Sequence, residues 1–540
     1  MKKYLIFTLS VLLIIAVLSA CGQGDTGTAT PPPADGTTAD NQADAEAPAP
    51  AMDMDAPATT VTVWFLGGGS DNDDALVVEA ANARLRELGL NIDLNPVWTG
   101  SWNMGEPAQI ALDTGDTSID VFWTGSWGLN FWSNARVGNF IRLDDPENDL
   151  LARYGQAMRN AIPQPLWDAF TTEGPLGFGI YGIPGYKDYA AMATLDSNYD
   201  RITELGFDFY ELFDIDGVNY GVFFDPMFED LLQTAVDTWG PNYFPLAPEP
   251  GNWVRHFANS EADVTGLGVF HTPMDPRNPA LPENPEFVLF LEDELSLRVL
   301  ERLHYFWQRG FIDPRLAIPD EFDIGEAMRT GDALFTSRQY AYGYTAIASE
   351  NRGFQARFPR LSMPVISSVS AAGSGFAISV YSQNQEAAMQ FMNAWYTDNT
   401  LAVILSEGVE GVHWNYNDEG LIVLDHDARA TYSTWRFGMG NIFILTQRDT
   451  DGHGYFERFE AYNAQGIPHA LLGFTFNTDT VSMEMAALTA VVEEFNHTVT
   501  IGAVDPATAV PAYLEALRAN GIDRVLEELN RQAAEFLAAR

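Results

Sequence analysis

The chain has almost no cysteine and almost no lysine. One cysteine, Cys21, stands among 540 residues, so no intramolecular disulfide can form and a hydrophobic core must hold the fold. Lysine occurs only as Lys2, Lys3 and Lys187. Every other base is an arginine, which marks Lys187 as a place where a flexible point charge stands instead of a planar fork. Bases are scarce altogether: 29 Lys and Arg face 74 Asp and Glu, a formal net charge of −45. Such a surface repels nucleic acid and anionic lipid, so neither is expected as a partner. Beyond the N-terminal stretch no run of eighteen apolar residues occurs, which leaves no second candidate for a membrane-spanning helix. The eight histidines are scattered, without HExxH or paired spacing, and neither GxSxG nor a P-loop is present; no cofactor is expected.

What is present begins at the N-terminus. Lys2 and Lys3 precede an apolar run from Tyr4 to Leu18, followed by the small residues Ser19 and Ala20. This is the pattern of a secretory signal peptide. The sequence Leu18-Ser19-Ala20-Cys21 resembles the bacterial lipobox, in which the signal is cut just before the cysteine and the thiol receives a diacylglycerol. The resemblance implies an extracytoplasmic protein anchored to the membrane through lipid on Cys21. From Gly22 to about Thr60 there is no aromatic residue, no Lys and no Arg, and such a segment cannot bury enough surface to order itself. As a coil it would hold a domain about 35 Å from the lipid, and about 120 Å if stretched.

Some 480 residues follow, enough for two or three cores at 46% hydrophobic composition. Val61 to Gly67 reads as a buried strand. Leu76 to Leu88 places Val77, Ala81, Leu85 and Leu88 on one helical face, closed by Gly89. Asn91 to Trp98 and Ser118 to Gly125 are the next strands. Strands alternating with helices predict a parallel α/β sheet, with ligands gathering at the loops beyond the strands' carboxyl ends. Those loops are GGGSDND, TGSWN and TGSWGLNFW. Farther on, Phe287 to Gln308 reads as helix, Glu326 to Tyr340 as helix, turn and strand, and Phe376 to Val380 as strand leading into an amphipathic helix. Two helices, Pro506 to Ala519 and Asp523 to Ala539, close the chain. No internal repeats are visible.

The lipobox, the tether, TGDTSIDVFW, GDALFTSRQY, GSGFAIS and the helix NQEAAMQFMNAWY, in this order, resemble the family 1 extracellular solute-binding proteins of ABC importers, the carbohydrate-binding group. YGIPGYKDYA, SEGVEGVHWNY, TWRFGMGNIFIL and the terminal LLGFTFNTDTVSMEM block resemble the lipoprotein subgroup with an extra C-terminal region. The resemblance implies a two-lobed α/β fold of the periplasmic-binding-protein type II kind, with a ligand cleft between the lobes. It implies a signal peptide over residues 1–20, a tether over 21–60, lobe 1 over 61–185, lobe 2 over 186–370, a return to lobe 1 over 371–415, and lobe 2 with the C-terminal helices over 416–540. The crossings would fall near Ile183 to Ala191, near Ser370 to Phe376 and after about Gly411. The implied function is capture of a carbohydrate by a monomer and its delivery to an ABC permease, without catalysis.

Trp123, Thr124, Ser126 and Trp127, at the end of the third strand, combine hydroxyls with indoles. A sugar needs that mixture, polar partners for its hydroxyls and an aromatic plane for its ring face. Phe131 and Trp132, on a following helix, read as core. By the family pattern Tyr186 and Lys187 lie at the hinge and cleft floor, where Lys187 either meets the ligand or pairs with Asp188. Arg338, Tyr340 and Tyr342 resemble the segment of lobe 2 that faces the sugar, and Trp414, Trp435 and Arg436 come from the later blocks. Asp449, Asp451, Gly454 and Glu460 fit positions 1, 3, 6 and 12 of an EF-hand loop. His453 at position 5 and the strand-like IFIL before it argue against calcium, so no metal is expected. The competing readings are a glycan hydrolase with a carboxylate pair, whose spacing is not fixed in sequence, and an adhesive scaffold, which the lack of repeats disfavours.

Overall fold

The computed structural model describes residues 52–67, 73–99, 105–214, 217–257, 264–275, 281–319, 321–340, 345, 348–349, 352–425 and 427–539. Cys21, the tether up to residue 51, Tyr342 and most of the first two candidate loops lie outside these residues.

Two hydrophobic cores organise the chain. The first is built on β1 (Thr59–Phe65), α1 (Asp74–Glu87), β2 (Ile92–Trp98), α2 (Gly105–Asp113) and β3 (Val121–Thr124). β1 lies between β2 and β3 and pairs in parallel with both. Its Val61, Val63 and Phe65 are fully buried, as a central strand covered by helices requires. α1 buries Val77, Ala81 and Leu85 at helical spacing. Leu88, expected on the same face, is exposed, because the chain turns away at Gly89 with φ +77°. Arg84 ties α1 to the sheet's far helices through a two-pronged hydrogen bond to Asp398 at 2.8 and 3.0 Å.

The sheet continues antiparallel. Gly375–Ile378 pairs with β3, and Ile183–Pro184 pairs with Gly375–Ile378. Gly375 sits opposite Thr124 and Pro184 where a Cβ would come within 2.3 Å of the Phe170 ring, so only glycine lets these strands close.

The second core surrounds a three-stranded antiparallel sheet in which Met192–Asn198 is flanked by Phe335–Tyr340 and Ala356–Arg357. The helix Glu294–Gln308 packs here through Val299, Leu300, Leu303 and Phe306. It starts later than the expected Phe287, because the Asp293 side chain caps Ser296 N at 2.8 Å and Val288–Leu289 pairs as a strand. The C-terminal helices Ser482–Thr500, Pro506–Ala519 and Ile522–Ala538 join the same core.

Among the described residues the chain passes between the cores three times. Ala190 and Met192 belong to the first core and Ala193 to the second; Leu361 belongs to the second and Ile366 to the first; Leu472 belongs to the first and Phe474 to the second. The crossing segments bond side by side: Ala191 and Val365 exchange backbone hydrogen bonds at 2.8 and 2.7 Å, and Val365–Ile366 pairs in parallel with Ile467–Pro468. The third crossing lies well beyond the expected Gly411. The segment expected in lobe 2 from residue 416 onward instead buries Ile422, Phe437, Met439, Ile442, Phe459 and Tyr462 in the first core. A buried charge network fastens it there. Arg448 donates to Glu407 at 2.6 and 3.1 Å, Arg436 Nη1 donates to Asp451 at 2.9 Å, and Arg436 Nε lies 3.7 Å from Glu407. Within this segment IFIL forms a 3-10 turn over Ile442–Ile444 rather than a strand, with the Asn441 side chain accepting from Phe443 N.

Candidate functional site

A cleft of about 740 Å³ opens where the two cores meet. On the first-core side, β3 ends at Thr124 and the chain folds into a tight loop. Gly125 N donates to Gly128 O at 3.0 Å, the Thr124 hydroxyl donates to Leu129 O, and Phe131 N donates to Gly125 O at 3.2 Å. Leu129 holds φ at +40°, the one positive value at a non-glycine residue among the described residues, with its side chain in the core. Such a conformation is strained for a branched residue. Its effect is to turn the loop so that Ser126 and Trp127 project into the cleft.

Trp127 is 53% exposed, and its orientation is held from behind. Its indole N–H donates to Gly373 O at 2.7 Å, and its ring centroid lies 5.0 Å from Trp123 and 6.1 Å from Trp435. Trp123 is fully buried and donates to Ser374 Oγ at 2.9 Å. Trp127 and the partly buried Trp435 both line the cleft, with Trp123 beneath, and an open aromatic plane is what a sugar ring face stacks on.

The floor is the first crossing segment, with Lys187, Asp188 and Tyr189 lining the cleft and Ser370 beside them. Lys187 Nζ donates to the Asp188 carboxylate at 2.8 Å, each side chain being 12% exposed. Of the two alternatives for Lys187, pairing with Asp188 is therefore realised, and the pair lies on the cleft surface. Asn463 clamps this segment by donating to Lys187 O and accepting from Tyr189 N. The facing wall comes from the second core: Asn252, Arg255, Leu267, Arg338, Gln339 and Asn496. Behind it, fully buried Asp196 accepts two 2.7 Å bonds from Arg352 and stands 3.4 Å from Arg338 Nε. Burial, then Arg255 and Arg338, hold His256 down to about 3, so its imidazole is neutral.

Ser126, Trp127, Lys187, Arg338 and Trp435 thus come together in the cleft. Trp123 and Thr124 are fully buried and support the loop from below. Tyr186 packs its ring 4.4 Å from Phe443, and burial pushes its phenol up to about 12. Trp414 is buried and donates to Gly408 O at 3.0 Å. Arg436 is buried too; the carboxylates of Asp451 and Glu407 outweigh desolvation and keep its charge. Tyr186, Trp414 and Arg436 are absent from the cleft lining, because each is consumed by packing or by ion pairs. The side chain of Tyr340 and the whole of Tyr342 lie outside what is described. Asp451, a would-be EF-hand ligand, is taken up by Arg436, and no acidic or histidine cluster suited to a metal occurs among the described residues. Asn252, Arg255, Gln339 and Asn496 were not anticipated. Asn252 and Arg255 share the short helix Asn252–Phe257 and Asn496 sits on Ser482–Thr500, where no local pattern marks them, whereas Gln339 lies between the flagged Arg338 and Tyr340.

Comparisons with known proteins bear on the fold. Residues 470–538 match a domain of unknown function (DUF3502). The chain is 23% identical, over 99% of its own length and 98% of the relative's, to a Streptococcus pneumoniae serotype 4 protein named carbohydrate ABC transporter substrate-binding protein. Its fold is similar to the crystal structure of the N-glycan transport solute binding protein NgtS from Streptococcus pneumoniae, with 20% identity, a TM-score of 0.74, and coverage of 89% of this chain and 99% of that one. The same protein in complex with Man5GlcNAc matches with a TM-score of 0.66, 20% identity and the same coverage. An HMO binding ABC-transporter associated solute binding protein from Bifidobacterium longum infantis matches at 15% identity and a TM-score of 0.56, covering 89% of this chain and all of that one. The chain is thus a relative, over nearly its whole length, of a carbohydrate ABC transporter substrate-binding protein, and it has the two-lobed fold of the solute-binding proteins.

Proposed function

We propose that this protein is the substrate-binding component of an ABC importer. It captures a carbohydrate, an oligosaccharide by the size of the cleft, and delivers it to the permease. The observation that carries this reading is the half-exposed Trp127, held against Trp123 and Trp435 and opposed across the cleft by Asn252, Arg255 and Gln339. An aromatic plane facing hydrogen-bonding groups matches the two surfaces of a sugar. Because the two walls belong to different cores joined by three paired segments, a ligand touching both stabilises the closed arrangement over the open one. Binding residues in this reading are Ser126, Trp127, Lys187, Arg338 and Trp435, with Tyr340 and Tyr342 added by the family resemblance alone. The protein works as a monomer outside the membrane, anchored through lipid on Cys21.

The hydrolase reading lacks support. Glycoside hydrolysis uses two carboxylates across the scissile bond, whereas the described lining holds one, Asp188, in an ion pair with Lys187. Calorimetry against an oligosaccharide panel, with the products analysed afterward, tests the proposal. Stoichiometric binding without turnover is expected, together with a smaller radius of gyration by X-ray scattering when ligand is added. Turnover, or no binding by the folded protein, would overturn it.

A further inference from the structure

Acids outnumber bases 74 to 29 in this chain, yet in the cleft the ratio reverses. Lys187, Arg255 and Arg338 line it against a single carboxylate among the described residues, Asp188. That carboxylate already accepts from Lys187 at 2.8 Å. Asp196 behind the wall accepts from Arg352 at 2.7 Å twice, and its distance to Arg338 Nε is longer, 3.4 Å. Asn252, Gln339 and Asn496 add amides that both donate and accept.

A neutral sugar offers hydroxyls that donate as readily as they accept, so a site built for it supplies acceptors in similar number to donors. This wall supplies mainly donors. A guanidinium carries five N–H groups in a planar fork and can serve a second carboxylate while holding a first, and a carboxylate is an acceptor only. The field argues the same way. The surrounding negative charge is screened within about 8–10 Å at ordinary salt, so a negative ligand group at this wall responds to the cations beside it rather than to the rest of the surface.

Resting on the carbohydrate reading above, we infer that the preferred ligand is a carboxylated oligosaccharide, containing a uronic or sialic acid residue whose carboxylate sits against Arg255 and Arg338. The ring of the same or a neighbouring residue then covers Trp127, and Arg255 and Arg338 determine specificity.

The test is calorimetry on the full chain with pairs that differ in charge: trigalacturonate against its methyl ester, and 3′-sialyllactose against lactose. The acidic member of at least one pair should bind about tenfold tighter or more, with the difference shrinking as salt rises. Arg255→Gln and, separately, Arg338→Gln should bring the acidic-to-neutral affinity ratio down toward one, and Arg255→Lys should restore part of it. Equal or tighter binding of the neutral member in every pair that binds would overturn the inference while leaving the carbohydrate reading in place. An acidic preference unchanged in both variants would also overturn it, since the carboxylate would then sit elsewhere. Failure of the folded protein to bind any acidic or neutral member of the wider panel would overturn the carbohydrate reading, and this inference with it.

Discussion

Replacing Trp127 by alanine separates a binding platform from a packed loop residue. A tryptophan side chain carries roughly 200–250 Å² of surface, and Trp127 is 53% exposed, so roughly 110–130 Å² faces the cleft. A sugar ring covering half of that removes about 60 Å² from water, worth about 1.5 kcal/mol at 25 cal/mol per Å². Ring-face contact adds about 0.5–1.5 kcal/mol beyond area. The sum, about 2–3 kcal/mol, corresponds to a 30- to 150-fold rise in Kd. The substitution also disturbs the fold. The buried half contributes at most about 3 kcal/mol and the 2.7 Å bond to Gly373 O about 1 kcal/mol, so Tm should fall by about 6–12 °C. Trp127→Phe isolates the two effects: it keeps a ring face in the cleft and loses the indole N–H. Its Tm should fall by only a few degrees and its Kd should rise less than about tenfold. Calorimetry well below Tm, with melting curves on each variant, makes the measurement. If Trp127→Ala binds like the wild type while its Tm falls as expected, Trp127 is a structural residue and the ligand stacks elsewhere.

Glu407→Gln should lower stability by about 3–5 kcal/mol, because it strips a carboxylate from Arg448 and Arg436, whose side chains are 11% and 6% exposed; a change in Tm below a few degrees would refute the network's role in fastening residues 414–462 to the first core. The His256 imidazole, held down to about 3, stays neutral in the folded chain where an unfolded one takes up a proton. Stability is therefore full above the ordinary histidine value near 6.5 and is lost as pH falls from there toward 3, at up to about 1.4 kcal/mol per unit from this group. His256→Gln should flatten that part of the urea-unfolding profile, and an unchanged slope would assign the acid sensitivity to other groups. Cys21→Ala should release the protein from the membrane or leave its precursor uncut; normal processing with retention at the membrane would rule out the lipobox reading.

The sequence by itself determined what short-range physics controls. Val61 to Gly67 reads as a buried strand from its apolar residues, and Val61, Val63 and Phe65 of β1 are fully buried. Asp505 followed by Pro506 starts the helix Pro506–Ala519, with the Asp505 side chain accepting from Ala507 N. The TGSWGLN loop, which contributes Ser126 and Trp127 to the cleft lining, is a candidate in the sequence because a strand's carboxyl end, hydroxyls and an indole coincide within a few residues. Tertiary structure decided which of the flagged side chains reach the cleft. Trp123 and Trp127 lie four residues apart, yet contacts to Ser374 and Gly373, in the turn before the strand Gly375–Ile378 some 250 residues later, accompany burial of the one and exposure of the other. Arg436 and Trp435 are neighbours, and Glu407 with Asp451 draws the guanidinium inward while Trp435 lines the cleft. The facing wall of Asn252, Arg255 and Arg338, and the third crossing between Leu472 and Phe474, depend on long-range pairings such as Val365 with Ile467. These couple segments about a hundred residues apart, and no local periodicity or capping signal carries that information.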